Sequence, residues 1–258
     1  MGTRLLVLQP SDADPPERLG DWLVGAGADL ILCRPATDGV PKSLDGVEGV
    51  VCMGGQMGAH DDADYPWLAA LRWLLADAVA HRLPVLGICL GGQLLAVATG
   101  GAVRRGVDGP EAGTRLVAKR DAAAHDPLFA QLPLTPDVIQ FHHDEIHRLP
   151  PGATLLASSP QYPNQAFRIG AAGYGLQFHI ETSPATVLSW ARRHTAGTAA
   201  VPAWQLEPEH LEQVHANMAE VWQPLATRFV ALAAGELAVG EPGAVGPGDR
   251  PALPLLGH

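Results

Sequence analysis

The stretch Pro84-Val85-Leu86-Gly87-Ile88-Cys89-Leu90-Gly91-Gly92-Gln93 decides the fold. An apolar run ends in a cysteine between glycines, and small residues then open a helical pattern. That order describes a buried strand, a tight turn with the thiol at its apex, and a helix: the cysteine counterpart of a nucleophile elbow. The frame Gly87-x-Cys89-x-Gly91 supplies the small residues that a strained apex requires. An unperturbed thiol titrates above neutrality, so a nucleophilic cysteine needs its thiolate stabilised. The start of the following helix favours negative charge through its dipole and unpaired N–H groups.

Working outward, continuous apolar runs over 4–9, 29–34 and 49–53 join 85–88 as expected strands. Helical periodicity lies between them, over 15–25 with Leu19, Trp22 and Leu23 on one face, and up to His81 with Trp67, Leu68, Leu71, Leu74, Leu75 and Val79. Apolar strands alternating with helices indicate a parallel sheet covered on both faces. The helix after Cys89 runs over 90–99 and stops at Gly100-Gly101. Residues 102–180 change character. Short β-like runs over 114–119, 138–142, 154–158, 165–169 and 174–179 sit between turns, the last two forming a hairpin. A helix over 184–193 and a longer amphipathic one over 209–234 follow, and Pro224 should kink or split the second. From Gly235 the Gly/Pro-rich sequence reads as a mobile or surface-draped tail. The division expected is an α/β domain over 1–195, a helical extension packed on it over 196–234, and a tail over 235–258.

The 258 residues suffice for one sizeable core with decoration. A net charge of −10 argues against nucleic acid or an anionic membrane as the main partner. No apolar stretch approaches spanning length. The pair Arg104-Arg105 reads as solvated surface. Three cysteines without metal-like spacing describe no disulfide framework, and the N-terminal run reads as a strand rather than a signal segment. A reducing cytoplasm is expected, with no cofactor. Cys33 and Cys52, inside ordinary strands, read as inert core residues.

A second segment, Tyr174-Gly175-Leu176-Gln177-Phe178-His179-Ile180-Glu181, supplies what the thiol lacks. His179 and Glu181, two apart on an expected strand, leave one face while Ile180 leaves the other, with Cβ atoms about 6–7 Å apart. A carboxylate can then hold one imidazole nitrogen while the other serves the sulfur. Attack on an amide also creates an oxyanion. Gly54-Gly55, directly after a strand, and the Leu90 N–H are candidate donors. Gln93, one turn past Cys89, either hydrogen-bonds a substrate or supports packing.

Gly-Ile-Cys-Leu-Gly-Gly-Gln together with Gly-Leu-Gln-Phe-His-Ile-Glu resembles the class I (triad) glutamine amidotransferases, in particular stand-alone proteins resembling the amidotransferase domain of GMP synthase. The likeness runs from Val50 to about Trp190, through Met53-Gly54-Gly55, Tyr65-Pro66-Trp67-Leu68, Phe141-His142-His143-Asp144 and Leu156-Ala157-Ser158-Ser159. It implies a flavodoxin-like α/β/α sandwich with a mostly parallel sheet, a small antiparallel part and a C-terminal helix. It further implies Cys89 as nucleophile, His179 as base, Glu181 as orienting acid, Gly55 and Leu90 as oxyanion donors, and Gln93 as a glutamine contact. Gly54, His142, His143 and Asp144 join the expected substrate rim, which is bulkier where many relatives carry Gly in place of His143. The reaction implied is hydrolysis of the glutamine side-chain amide through a γ-glutamyl thioester. A small molecule is the expected partner, with a separate synthase as ammonia acceptor.

Three rivals stand beside this reading. A γ-glutamyl hydrolase or peptidase would keep the chemistry and change the substrate. A metal site would use His143 and His147, whose spacing binds zinc on a helix. A binding module would keep the fold without catalysis.

Overall fold

The computed structural model of the chain describes residues 2–193 and 201–238. Its centre is an eight-stranded sheet built from β1 (Thr3–Leu8), β2 (Ala28–Cys33), β3 (Gly49–Cys52), β4 (Val85–Ile88), β7 (Ala118–Lys119), β10 (Thr154–Ser158), β11 (Ala166–Ile169) and β12 (Gly173–Leu176). The order is β2-β1-β3-β4-β12-β11-β10-β7. The first five strands are mutually parallel and the last three continue antiparallel. The parallel half has the flavodoxin-like order, in which ligands bind beyond the carboxyl ends of the strands where the order reverses.

The alternation of β1 shows why its sequence is apolar throughout. Leu5 and Val7 pack into one hydrophobic cluster, Leu6 and Leu8 into another, one on each face of the sheet. On one face lie α3 (Trp67–Ala80) and α4 (Leu90–Ala98). On the other lie α1 (Glu17–Gly25), α5 (Pro184–Arg193) and the long α6 (Pro208–Ala233). A single short turn, α2 (Pro35–Asp38), follows β2. Pro224 does not divide α6, which is one 26-residue element. Trp222, Leu225, Ala226 and Phe229 around the proline are buried in the core. Their burial, about 1.5–3 kcal/mol for each large side chain, outweighs the roughly 3 kcal/mol cost of an interior proline.

Two further ribbons lie outside the main sheet: β5 (Ala102–Arg105) with β9 (Asp144–Arg148), and β6 (Glu111–Leu116) with β8 (Asp137–His142). The run expected as one strand over 114–119 is divided between β6 and β7, which belong to different sheets. Most of the tail expected over 235–258 lies outside the described residues. Its first part is ordered by capping: Glu236 and Leu237 donate to the Ala231 carbonyl, and Leu237 packs on the core. No helix among the described residues is long and apolar enough to cross a membrane.

Candidate active site

Parallel pairing sets Leu176 opposite Ile88, so the chain leaves β4 and β12 at the same level. The Cys89 N–H then donates to the Leu176 carbonyl at 2.8 Å. Residues almost ninety positions apart are thereby adjacent. Cys89 itself is the turn: it sits at φ 50°, in the left-handed region, between β4 and the first residue of α4. A non-glycine residue there carries backbone strain, a feature concentrated at functional sites. Close packing holds it. A Cβ on Gly87 would lie 2.5 Å from the Gly91 backbone, and one on Gly91 would lie 2.0 Å from the Cys52 carbonyl oxygen. Only glycines let α4 start directly against the sheet.

The strand expected over 174–179 ends at Leu176, and His179 instead forms an isolated antiparallel bridge with Ile139 of β8. His179 N–H donates to the Ile139 carbonyl at 2.8 Å and Ile139 N–H returns one at 3.2 Å. The chain diverts because Phe178 and Ile180 are fully buried, and Phe178 packs on Trp222 of α6. Extended geometry survives the diversion. His179 Nδ1 and Glu181 Oε1 are 2.7 Å apart, and the other Glu181 oxygen accepts from the Ile180 N–H at 2.9 Å. The remaining ring nitrogen is left for the Cys89 thiol, which lines the same cavity. Burial alone would depress the His179 pKa. The Glu181 carboxylate and the negative charge available on Cys89 outweigh it and hold the ring well above its ordinary value.

These groups open on a cavity of about 480 Å³, within the range of small-molecule sites. Cys89, His179, Gly55, Gln93, His142, His143 and Asp144 line it. Glu181 stands behind His179, outside the lining. Gly54 also lies outside it, backing the ring: a Cβ there would sit 3.2 Å from His179 Cε1. Leu90 is buried at the start of α4, where the first N–H groups of a helix lack intrahelical partners. Gln93 serves the packing role in part. Its amide nitrogen faces two acceptors, the Asp144 carbonyl and Gln177 Oε1, both at 3.3 Å. That leaves its carbonyl oxygen as the group available to a ligand. Both nitrogens of His142 are also occupied, by the Asp144 carbonyl at 2.8 Å and by Glu111 at 3.2 Å. It braces the rim.

Arg104 and Arg105 are exposed, as expected, and each also makes a contact. Arg104 neutralises the buried Glu145 carboxylate at 2.9 Å, and Arg105 lines the cavity. The sequence reading also missed Asp14, Phe141, Trp190 and Arg193 in the lining. Asp14 follows β1 at the carboxyl edge of the sheet, where the flavodoxin-like order directs attention. Trp190 lies on the catalytic-candidate ring, with centroids 4.6 Å apart, and its indole N–H is anchored on the Ala13 carbonyl. The one signal for it was an aromatic on the inward face of α5.

The other two cysteines are buried, and burial is the main cause raising both pKa values, that of Cys52 to about 12. This matches inert thiols. The His143–His147 spacing falls on extended chain leading through β9, where four residues span roughly 13 Å. It therefore lacks the helical geometry that would converge two ligands. Among the described residues no three of His, Cys, Asp or Glu gather as a metal-binding group.

The model for "Glutamine amidotransferase class-I" matches residues 34–187, more than half the chain. Gamma-glutamyl peptidase 5 of Arabidopsis thaliana is 35% identical over 142 residues, 54% of this chain and 56% of that protein. A GMP synthase [glutamine-hydrolyzing] of Porphyromonas gingivalis is 34% identical over 143 residues, 55% of this chain and 26% of that protein. The chain thus spans about half the length of the first relative and a quarter of the second. A glutamine amidotransferase from Thermotoga maritima superposes with a TM-score of 0.78 at 28% identity, covering 89% of this chain and 99% of that one. The elbow, the sheet order and this match over 34–187 agree: the chain belongs to the class I glutamine amidotransferase family.

Proposed function

We propose that the chain hydrolyses γ-glutamyl amides, with glutamine as the simplest of them, using Cys89, His179 and Glu181. The observation that carries this reading is one buried imidazole shared between a carboxylate and a strained thiol at a cavity wall. The Cys89 sulfur attacks the amide carbon, and the Gly55 and Leu90 N–H groups receive the developing oxyanion. His179 gives its proton to the leaving nitrogen as the C–N bond breaks, which leaves a γ-glutamyl thioester. Water, deprotonated by the same ring, then cleaves the C–S bond to release glutamate. The likeness to a GMP synthase supports a variant of this reading in which the amine is ammonia passed to a separate synthase. Three free cysteines support a reducing, cytoplasmic setting. The test is release of glutamate and amine from γ-glutamyl compounds by the purified chain. Equal turnover by Cys89→Ser would refute the assignment.

Glu181→Gln should slow turnover by about 10²–10⁴-fold. The carboxylate accepts from both His179 and Ile180, and an amide presents only one acceptor to two donors. Steady-state rates check this, and a loss under threefold would contradict an orienting role.

The raised His179 pKa also carries a stability signature. A proton held more tightly in the folded state stabilises in full below the ordinary value of 6.5, and that stabilisation fades as pH climbs through the raised folded value. The melting-temperature advantage of wild type over His179→Ala should therefore shrink from neutral toward alkaline pH. An advantage that widens over that range would contradict the ion pair.

A further inference from the structure

The hydrolase reading depends on where the Glu181 carboxylate sits, because one of its oxygens holds the His179 ring. The three residues from Glu181 to Ser183 are each gripped by a partner distant in sequence. The Glu181 carbonyl accepts from the Arg18 N–H at 3.1 Å. The Thr182 hydroxyl meets His215 Nε2 of α6 at 3.1 Å. The Ser183 N–H donates at 2.7 Å to the Glu17 carboxylate, which also accepts from the Thr186 hydroxyl. Arg18 and His215 are joined in turn, the Arg18 guanidinium donating to the His215 carbonyl at 2.7 Å. The family match covers 34–187, so Glu17, Arg18 and His215 all lie outside it. Parts of this chain beyond that match therefore seat the acid of the triad.

The state of the His215 ring follows from its partners. The Leu211 carbonyl, 2.7 Å from Nδ1, only accepts, so that nitrogen carries a proton. Burial, reinforced by the Arg18 charge, keeps the ring's pKa below its ordinary value against opposing pulls from the Leu211 carbonyl and Glu181. The ring is then neutral, Nε2 is an acceptor, and the Thr182 hydroxyl is the donor. Both side chains are buried, so neither finds water in place of the other. A satisfied polar pair of this kind rigidifies its surroundings, since donor and acceptor meet in only one arrangement. Glu17 adds a second sign of a held geometry. It sits at φ 34°, in the left-handed region, which a non-glycine residue keeps only where its neighbours impose it.

We propose that His215 is a positioning residue for the reaction: by accepting from Thr182 it fixes the peptide next to Glu181, and with it the carboxylate that orients His179. This rests on the hydrolase reading above and extends its machinery to the C-terminal helix. Neither Thr182 nor His215 lines the cavity, and no proton of the reaction passes through either. Their effect travels through Glu181 alone. That carboxylate accepts from His179 and from the Ile180 N–H, and a rotation of the following peptide would disturb both contacts.

The test uses Thr182→Val, which keeps the side chain's shape and removes its hydroxyl, with His215→Gln and His215→Leu, of which Gln alone offers an acceptor. Glutamate release from L-glutamine or γ-glutamyl p-nitroanilide is followed well below the melting temperatures. Thr182→Val and His215→Leu should each lower kcat about tenfold with KM within about twofold, as for a slightly displaced catalytic group. His215→Gln should keep roughly half of the wild-type kcat. In a Glu181→Gln background, Thr182→Val should cost less than about twofold, because the group it places is already gone. The His179 ring, titrated by NMR in the full chain, should move down toward its ordinary pKa in Thr182→Val. A tenfold loss that persists in the Glu181→Gln background overturns the route through Glu181. Wild-type kcat in Thr182→Val, or equal losses in His215→Gln and His215→Leu, overturns the positioning role while the hydrolase reading stands. If the His215 variants unfold, Thr182→Val and its combination with Glu181→Gln decide alone. Absence of wild-type turnover on every γ-glutamyl compound overturns the hydrolase reading instead. The His179 titration then decides the seating of Glu181, and a ring unmoved in Thr182→Val overturns that as well.

Discussion

Cys89→Ser is expected to lower glutamate release by at least about 10⁴-fold while leaving the melting temperature close to wild type. Serine is nearly isosteric, so it fits the same turn at φ 50° and the same hydrogen bond from its N–H to Leu176. What it lacks is a readily formed anion. An alcohol leaves the imidazole with no thiolate to pair and demands a far stronger base for attack. His179→Ala should cost nearly as much, because the members of such a unit act together and their effects do not add. Turnover by Cys89→Ser within tenfold of wild type would remove the sulfur from the mechanism.

Gly91→Ala should be the most damaging conservative change in the chain. The added methyl would arrive 2.0 Å from the Cys52 carbonyl oxygen and 2.7 Å from its carbon, both of them backbone atoms of the central sheet. Neither can yield, so α4 must retreat and carry Cys89 with it. Overpacking against backbone places the expected loss at roughly 3–5 kcal/mol, or about 10 °C in melting temperature for a domain of this size. Gly25→Ala, at the end of α1 with nothing within 4 Å of the new methyl, is the control. It should be neutral or stabilising by up to about 1 kcal/mol. Thermal melts of both variants decide the matter, and a Gly91→Ala protein melting within 2 °C of wild type would contradict it.

Local pattern carried much of this in advance. Strand β4 and helix α5 lie where apolar runs and a leading proline place them, because a buried parallel strand and a proline-started helix are both short-range signals. The pairing of His179 with Glu181 was legible because extended chain puts alternate residues on one face, even though that segment leaves the sheet at Leu176. Ribbons β5–β9 and β6–β8 were harder: their strands are short and partly polar, and each is completed by a distant partner. Arg104 is solvated as read, but its pairing with Glu145 was not legible because that carboxylate lies 41 positions away. Trp190 and Arg193 acquire meaning only once α5 is seen folded back over the ring. Of the two outcomes expected at Pro224, the split does not occur, because burial of its neighbours holds the helix together.

The sulfur and the ring stand on separate foundations. The sulfur is set by the parallel sheet, through Leu176 and the glycine seat of α4. The ring is set by Ile139 and Trp190, and at one remove by Trp222 reaching Phe178 from the C-terminal helix. On the proposed mechanism, injury to that last helix would leave a well-aimed thiol facing a misaligned proton acceptor, an inactive protein with an intact centre.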